Sequence, residues 1–397
     1  MKILVANLGS TSFKYCLFEG DESSLKPMTR GGYERVTDYA EVIRDALSKM
    51  KEGEFIESAD EIDAVGFKTV LGLDKTGCVA ADESVIADLR ASADLAPAHN
   101  PAYANGIEQF SQVLPKARLV ALYETAFYQW AAPASRRYAV PQSWFDAGVR
   151  RNGFHGASHK FIAERSAELL GRDDIADRVR GLYQEDRSQA FEPEKPLRIV
   201  SCHLGGSSSV TGILNGAAMD SSMGLSPQSG LPQNNRVGDL DSMAIGYAMR
   251  KLGLSLEEVE RQLTKESGLL GLSGESNDIR DIWKAIEGGN ENAALAIDSL
   301  VYSIRHYVGA YMLEMGGLDA LVFTAGIGEN DTEIRKRVCS GLEGLGLKLD
   351  LEQNTIRGKE NTISAEDSAI KVFVIPANEE LVVARETGRF LAHAVNA

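Results

Sequence analysis

A polar hairpin pattern that occurs twice, about half the chain apart, constrains this sequence more than any other feature. Residues 3–19 read ILVANLGSTSFKYCLFE and residues 199–214 read IVSCHLGGSSSVTGIL. Each is an apolar run, a Leu-Gly step into small hydroxyl residues, and a second apolar run. Ile3 aligns with Ile199, Asn7 with His203, and Leu8-Gly9 with Leu204-Gly205. A strand, a tight Gly/Ser/Thr turn and a returning strand make a loop whose backbone N–H groups can cradle phosphate oxygens. One such hairpin is an ordinary turn. Two, one per half, predict a duplicated fold that grips a nucleotide between its lobes.

The remaining composition narrows the partners. At 397 residues the chain is long enough for two or three domains with cores of their own. A formal net charge of −15 argues against nucleic acid or an anionic membrane as the main partner. It leaves an anionic small molecule open, because local cations and backbone amides decide that. The four cysteines, Cys16, Cys78, Cys202 and Cys339, have no metal-ligand spacing and read as thiols of a reducing compartment. No run approaches the roughly 18 apolar residues of a membrane span, and no basic stretch precedes an apolar one at the start. The expected location is the cytoplasm.

Periodicity places helices at 40–52, 83–93, 103–113, 157–171, 241–252, 256–265 and 291–316, with another after Asp331 and one at the C-terminus. Strands are expected at Ala64–Val70, Arg118–Tyr123, Ala320–Thr324 and Val372–Ile375. Strands alternating with helices, plus the doubled hairpin, indicate an α/β architecture. The charged run 172–196 reads as an exposed helix and loop. Residues 221–239, SSMGLSPQSGLPQNNRVGD, form an irregular stretch too long for a mere connection.

Candidate chemistry gathers at a few places. FTAGIGEN (323–330) sets two glycines between a buried strand and a helix, either a ligand loop or a structural turn. Lys14 follows the first hairpin loop, as a phosphate cation or a surface lysine. His155 lies between glycines in NGFHGASH, placed to stabilise a transferring phosphoryl group or to satisfy loop carbonyls. Arg236, in the long polar stretch, has the type and setting of a phosphoryl clamp. Glu124, Glu379 and Glu380 stand at strand ends, where magnesium carboxylates sit in α/β phosphotransferases.

These residues, with VANLGSTSFKY, LAPAHNPA, ETAFYQ, YAVPQSWFDAGVRRNGFHGASHK, CHLGGSSSVTGILNG, DSSMGLSP, ESGLLGLSGESNDIRDI, FTAGIGEND and IPANEELVVARET, make the chain resemble the acetate kinase family nearly end to end. That family lies within the larger group of actin, sugar kinases and heat-shock ATPases. The resemblance implies two duplicated actin-like (ribonuclease H-like) lobes, 1–147 plus 381–397 and 148–380, with a nucleotide cleft between them. It implies ATP-dependent phosphorylation of a short carboxylic acid to an acyl phosphate, and a homodimer. Asn7 and Glu379 would hold Mg²⁺ or Mn²⁺. Lys14, His203, Leu204, Gly205, Gly206 and Ser207 would meet the phosphates, Asp278, Ile279 and Arg280 the adenosine, and Gly326, Ile327, Gly328, Glu329 and Asn330 the adenine. Glu124, His155 and Arg236 would be catalytic, and Lys68, Val70, Ala98, Phe154 and Pro227 would line the acid pocket.

The departures cluster at the acid end. Lys68 stands where the family has an arginine facing the substrate carboxylate, and loses the planar two-point grip. Glu124 replaces an aspartate, Ala98 a leucine and Tyr128 a histidine. The phosphate loop reads Leu-Gly-Gly-Ser-Ser-Ser, and Pro-Gln-Asn-Asn precedes Arg236. The expectation is a kinase with weak activity on acetate and better activity on a larger or more polar short acid. Two alternatives stay open: a nucleotide-binding paralogue without turnover, and a kinase using pyrophosphate.

Overall fold

The computed structural model describes residues 1–21, 24–97, 99–184 and 192–396. Both hairpins form where the sequence places them. β1 (Lys2–Gly9) pairs antiparallel with β2 (Ser12–Glu19), and β2 with β3 (Lys26–Glu34). β4 (Ala64–Thr69) and β6 (Arg118–Tyr123) add in parallel beside β1, and β5 (Cys78–Ala80) closes the edge antiparallel. The second sheet repeats this strand for strand. β7 (Arg198–Leu204), β8 (Ser208–Leu214) and β9 (Ala217–Ser221) form the meander. β10 (Ala320–Thr324) and β12 (Lys371–Val374) add in parallel, and β11 (Asn361–Thr362) is the antiparallel edge. The orders are β3-β2-β1-β4-β6-β5 and β9-β8-β7-β10-β12-β11. The duplication expected from the hairpins therefore extends through both six-stranded sheets.

Central strands are buried on both faces, as their continuous apolar runs require. In the second sheet Val200, Cys202 and Leu204 face the long helix Glu291–Glu314, packing with its Leu300 and Ile304. Ile199 and Val322 face the helix Gly156–Leu169, whose Ile162 and Ala163 cover the other side. The C-terminal helix Glu379–Asn396 leaves the second sheet and packs on β1, β4 and β6 of the first. Gly66 permits this approach, since a Cβ there would sit 2.4 Å from Thr387 Oγ1.

Two expectations need correction, and a third holds with an addition. The helix expected at 103–113 begins at Asn100, because Pro101 is tolerated in a first turn, where its missing N–H is not needed. The run 172–196 is not simply exposed: the helix Asp173–Arg180 buries Ile175, Ala176 and Val179, which its high charge masked, while 185–191 lie outside the described residues. The stretch 221–239 has no regular structure after Ser221, yet Ser222, Met223, Leu231 and Gln233 are buried in it. Of the cysteines, Cys16, Cys202 and Cys339 are buried, Cys78 is half-buried, and all four are free thiols. Among the described residues, no helix is long and apolar enough to cross a membrane.

Candidate active site

Ligands in open α/β sheets bind beyond the carboxyl ends of the parallel strands. Here those ends carry nearly every residue singled out above: Asn7 near the end of β1, Lys68 in β4, Glu124 after β6, His203 in β7, Ala325–Asn330 after β10 and Glu379 after β12. A cavity of about 570 Å³ opens among the loops of the second sheet. Gly205, Gly206, Asp278, Ile279, Arg280, Gly326, Ile327 and Asn330 line it, together with Asn234, Trp283, Asp331, Thr332, Glu333 and Arg357. Sequence reasoning did not assign the latter six to the nucleotide: Asn234 and Asp331 lie in segments already quoted, while Trp283, Thr332, Glu333 and Arg357 carry no motif of their own. Trp283 stands one turn beyond Arg280, on the apolar face of the helix Ile279–Glu287.

The cavity is built by local caps and glycines. Asp278 caps the helix Ile279–Glu287 through the Arg280 N–H and pairs with the Arg280 guanidinium. Asp331 caps the helix Thr332–Cys339 and accepts from Trp283 Nε1 at 2.6 Å. Ala325 holds a left-handed conformation (φ 64°), the strained step by which β10 turns into the short helix Ala325–Asn330. Leu204 and Gly328, expected at the nucleotide, are buried and do not line the cavity. Glu329 turns away and accepts from the Ala377 N–H at 3.0 Å, bracing the segment before Glu379.

Three histidines meet between the sheets. His155, also left-handed (φ 59°), stacks on His203 with ring centroids 4.1 Å apart. Gly156 follows it because a Cβ would lie 2.2 Å from the Glu124 carbonyl. A continuous chain of contacts joins Ser201 Oγ to His159 Nδ1, His159 Nε2 to Ser209 Oγ, and Ser209 Oγ to His155 Nδ1, each 2.8 Å. Ser158 Oγ holds His203 Nδ1 at the same distance. Burial, and then their mutual charge, pushes His155 and His159 well below the usual histidine range. His203 is pushed down, mainly by burial, to about 4. All three are neutral at pH 7. His159, Ser158, Ser201 and Ser209 were also missed, although His159 lies on the motif already quoted.

Lys68 does not stand free for a substrate carboxylate. Its ammonium pairs with Glu379 and lies 3.1 Å from Glu124 Oε1. Burial disfavours that charge, but the two carboxylates outweigh it and raise Lys68 well above its ordinary value. Burial pushes Glu124 up more strongly than Lys68 holds it down. For Glu379, Lys68 and His203 prevail over burial and hold it below the usual carboxylate range. Asn7 Oδ1 accepts from the Tyr103 hydroxyl at 3.0 Å.

Arg236 Nη1 donates to Ser207 Oγ at 3.1 Å and to the Pro227 carbonyl at 3.3 Å, while Gln233 Nε2 donates to the same carbonyl at 2.8 Å. Arg236, the second hairpin loop and Pro227 are thus one hydrogen-bonded unit. Phe154 is buried with Leu71 and Met223, and Val70 and Leu95 pack against them. Tyr128, in place of the family's histidine, donates to the Phe154 carbonyl at 2.7 Å and contacts Thr211 Oγ1 at 2.8 Å. Ala98 lies outside the described residues. Lys14 is exposed on β2, 3.8 Å from Glu34, and is not drawn into the cavity. Among the described residues no group of three or more His, Cys, Asp and Glu side chains forms a metal cage.

The comparisons with known proteins agree along the whole chain. The profile of the acetokinase family matches residues 2–179 and 183–385. The acetate kinase of Bacillus subtilis (strain 168) is 38% identical, over 98% of this chain and 99% of its own. The crystal structure of Porphyromonas gingivalis acetate kinase superposes with a TM-score of 0.87 at 36% identity, covering 98% of this chain and 99% of that one. A propionate kinase structure from Francisella tularensis subsp. tularensis SCHU S4 gives 0.81 at 31% identity, covering 97% and 98%.

Proposed function

The chain belongs to the acetokinase family, and from that premise we propose how its own residues carry the reaction. It is an acetate kinase-like phosphotransferase, a carboxylate kinase that takes ATP and a short carboxylate to an acyl phosphate and ADP. One observation supports the assignment of the parts. Asp278, Ile279, Arg280, Gly326, Ile327 and Asn330, expected at the adenosine end, line one cavity of about 570 Å³, which meets the hairpin loop hydrogen-bonded to Arg236.

In this reading the nucleotide base lies between Gly326–Asn330 and the helix Ile279–Glu287, and its phosphates run along Gly205–Ser207. A carboxylate oxygen attacks the γ-phosphorus in line, the bond to the β,γ-bridging oxygen breaks, and ADP departs with that electron pair. The acid is ionised at neutral pH and needs no base. Catalysis is then positioning and charge stabilisation. Arg236 supplies a fixed cation. His155, neutral, supplies an N–H: with Ser201 donating to His159, His159 to Ser209 and Ser209 to His155 Nδ1, the proton remains on Nε2. The opposite polarity would turn a lone pair toward an anionic phosphoryl group.

Asn7 and Glu379 would hold Mg²⁺ or Mn²⁺. Both offer hard oxygen donors, and Lys68 occupies Glu379 Oε2 while leaving Oε1. Such an ion neutralises charge shared by the β- and γ-phosphates. Glu124 fixes Lys68 from the other side, and Val70, Phe154 and Pro227 bound the acyl chain. We divide the chain into lobes 1–147 plus 381–397 and 148–380. We place the protein in the cytoplasm as a homodimer, associated through the helix Ser242–Leu252, which buries none of its residues and exposes Met243 and Tyr247.

Trapping the acyl phosphate as hydroxamate, with ATP, Mg²⁺ and acetate, propionate or glycolate, tests the reading. Product is expected, with higher kcat/KM on propionate or glycolate than on acetate. No product with any acid, alongside measurable ATP binding, would sink the kinase assignment.

A further inference from the structure

A second polar cavity, of about 140 Å³, shares no residue with the nucleotide cleft. Loop 72–76 forms one wall, the segment from Thr125 to Gln129 another, and Arg136, Arg150 and Asn152 a third. Three cations, Lys75, Arg136 and Arg150, face it against one acid, the exposed Asp74. Arg150 donates to the Leu73 carbonyl, and Arg136 reaches only the Gln129 carbonyl at 3.4 Å. Among the described residues none of the three cations lies within ion-pair distance of a carboxylate. Elsewhere an enclosed cation is met by a carboxylate, as Lys160 and Arg389 share Glu386, or by a full set of neutral oxygens, as buried Arg335 is by Asn354 and the Gly328 and Ile356 carbonyls. Burial, and then the charge of Arg150, holds the Arg136 guanidinium below its ordinary range. Two half-buried arginines side by side, with no carboxylate within ion-pair distance, repel one another, and a bound anion would offset that repulsion.

We propose that this cavity is a binding site for a small oxyanion with two or more negative charges, of the phosphate or short dicarboxylate kind. The volume holds about four or five waters at about 30 Å³ each, enough for such an ion and far too little for a nucleotide. Guanidinium forks suit planar or tetrahedral oxyanions, and the hydroxyls of Thr76 and Thr125, hydrogen-bonded to each other at 2.9 Å on the wall, leave one further donor. The ion would tie together loop 72–76, the segment that follows Glu124 and the segment that leads to Phe154 and His155. It thereby joins three parts of the active site without touching the reacting atoms.

Calorimetric titration of the full chain tests this, using inorganic phosphate and malonate separately, with the cleft saturated by a non-hydrolysable ATP analogue and Mg²⁺. One-to-one binding is expected, weakened at least tenfold in Arg136→Gln and several-fold in Lys75→Gln, and unchanged in Arg236→Ala. Binding of phosphate alone identifies a tetrahedral ligand, and binding of malonate alone a dicarboxylate. Absence of binding of both, or wild-type affinity in the two cavity variants, overturns the proposal. Lys75→Gln keeps the test decisive should Arg136→Gln fail to fold. Hydroxamate formation, measured separately, shows whether the kinase reading stands apart from this one.

Discussion

His155 acts through neighbours that a linear reading does not join. Its Nδ1 is held by Ser209, which is held in turn by His159 and, through it, by Ser201. Because the three rings sit below the usual histidine range in the folded protein, the unfolded chain binds more protons below about pH 6.5. The stabilisation is complete above that value and is lost as pH falls toward the folded values, about 4 for His203. Between pH 7.5 and 5.5, each histidine that stays neutral should cost about 1.4 kcal/mol of stability. Urea denaturation at the two pH values checks this, and His159→Phe should remove one share of the difference. Arg236 makes a second prediction. Arg236→Ala should lower kcat by about 10² or more, with a smaller change in KM for ATP, because the guanidinium stabilises charge that develops only in transfer. Unchanged turnover in steady-state assays would remove Arg236 from the mechanism.

At the scale of elements, the helices Gly156–Leu169 and Glu379–Asn396 hold two of the candidate site's side chains in register. The first begins at His155 and the second at Glu379. A buried ion group staples them: Lys160 Nζ lies 2.6 Å from Glu386 Oε1, and Arg389 Nη1 2.5 Å from the same oxygen. Removing the carboxylate leaves two cations enclosed together. Glu386→Gln should therefore destabilise the fold by roughly 3–5 kcal/mol, read from the urea midpoint at constant slope. A loss under 1 kcal/mol would show that water reaches the pair. The glycines of the hairpins and of NGFHGASH were legible as turn residues. What each glycine makes room for was not, since the Glu124 carbonyl against Gly156 comes from the turn after β6.

For the molecule as a whole, the surface is uneven. Met243, Tyr247 and Leu252 are 69%, 62% and 68% exposed on the helix Ser242–Leu252, and Tyr302 and Leu313 are 73% and 81% exposed on the helix Glu291–Glu314. A chain of net charge −15 has ample polar residues to cover these positions, so large side chains left in water point to a contact face. Met243→Glu combined with Tyr247→Glu should shift sedimentation from dimer to monomer. A wild-type protein that sediments as a monomer at all concentrations would exclude the dimer.

The doubled hairpin determined the architecture in advance, because strand, turn and strand is a local pattern and its repetition is visible along the chain. The same holds for the loops 205–207, 278–280 and 326–330, whose glycines and caps act on their own neighbours and which converge on one cavity. Tertiary structure decided what depends on contact between distant residues. It set Lys68 between Glu124 and Glu379, 311 positions apart from the latter in sequence, instead of leaving it free. It left Lys14 on the surface, buried one face of the charged helix Asp173–Arg180, and brought Arg136 beside Arg150. Charge and hydrogen bonding act through space, so a side chain's partner, and hence its chemistry, follows from the packing of the sheets and not from its position in the chain.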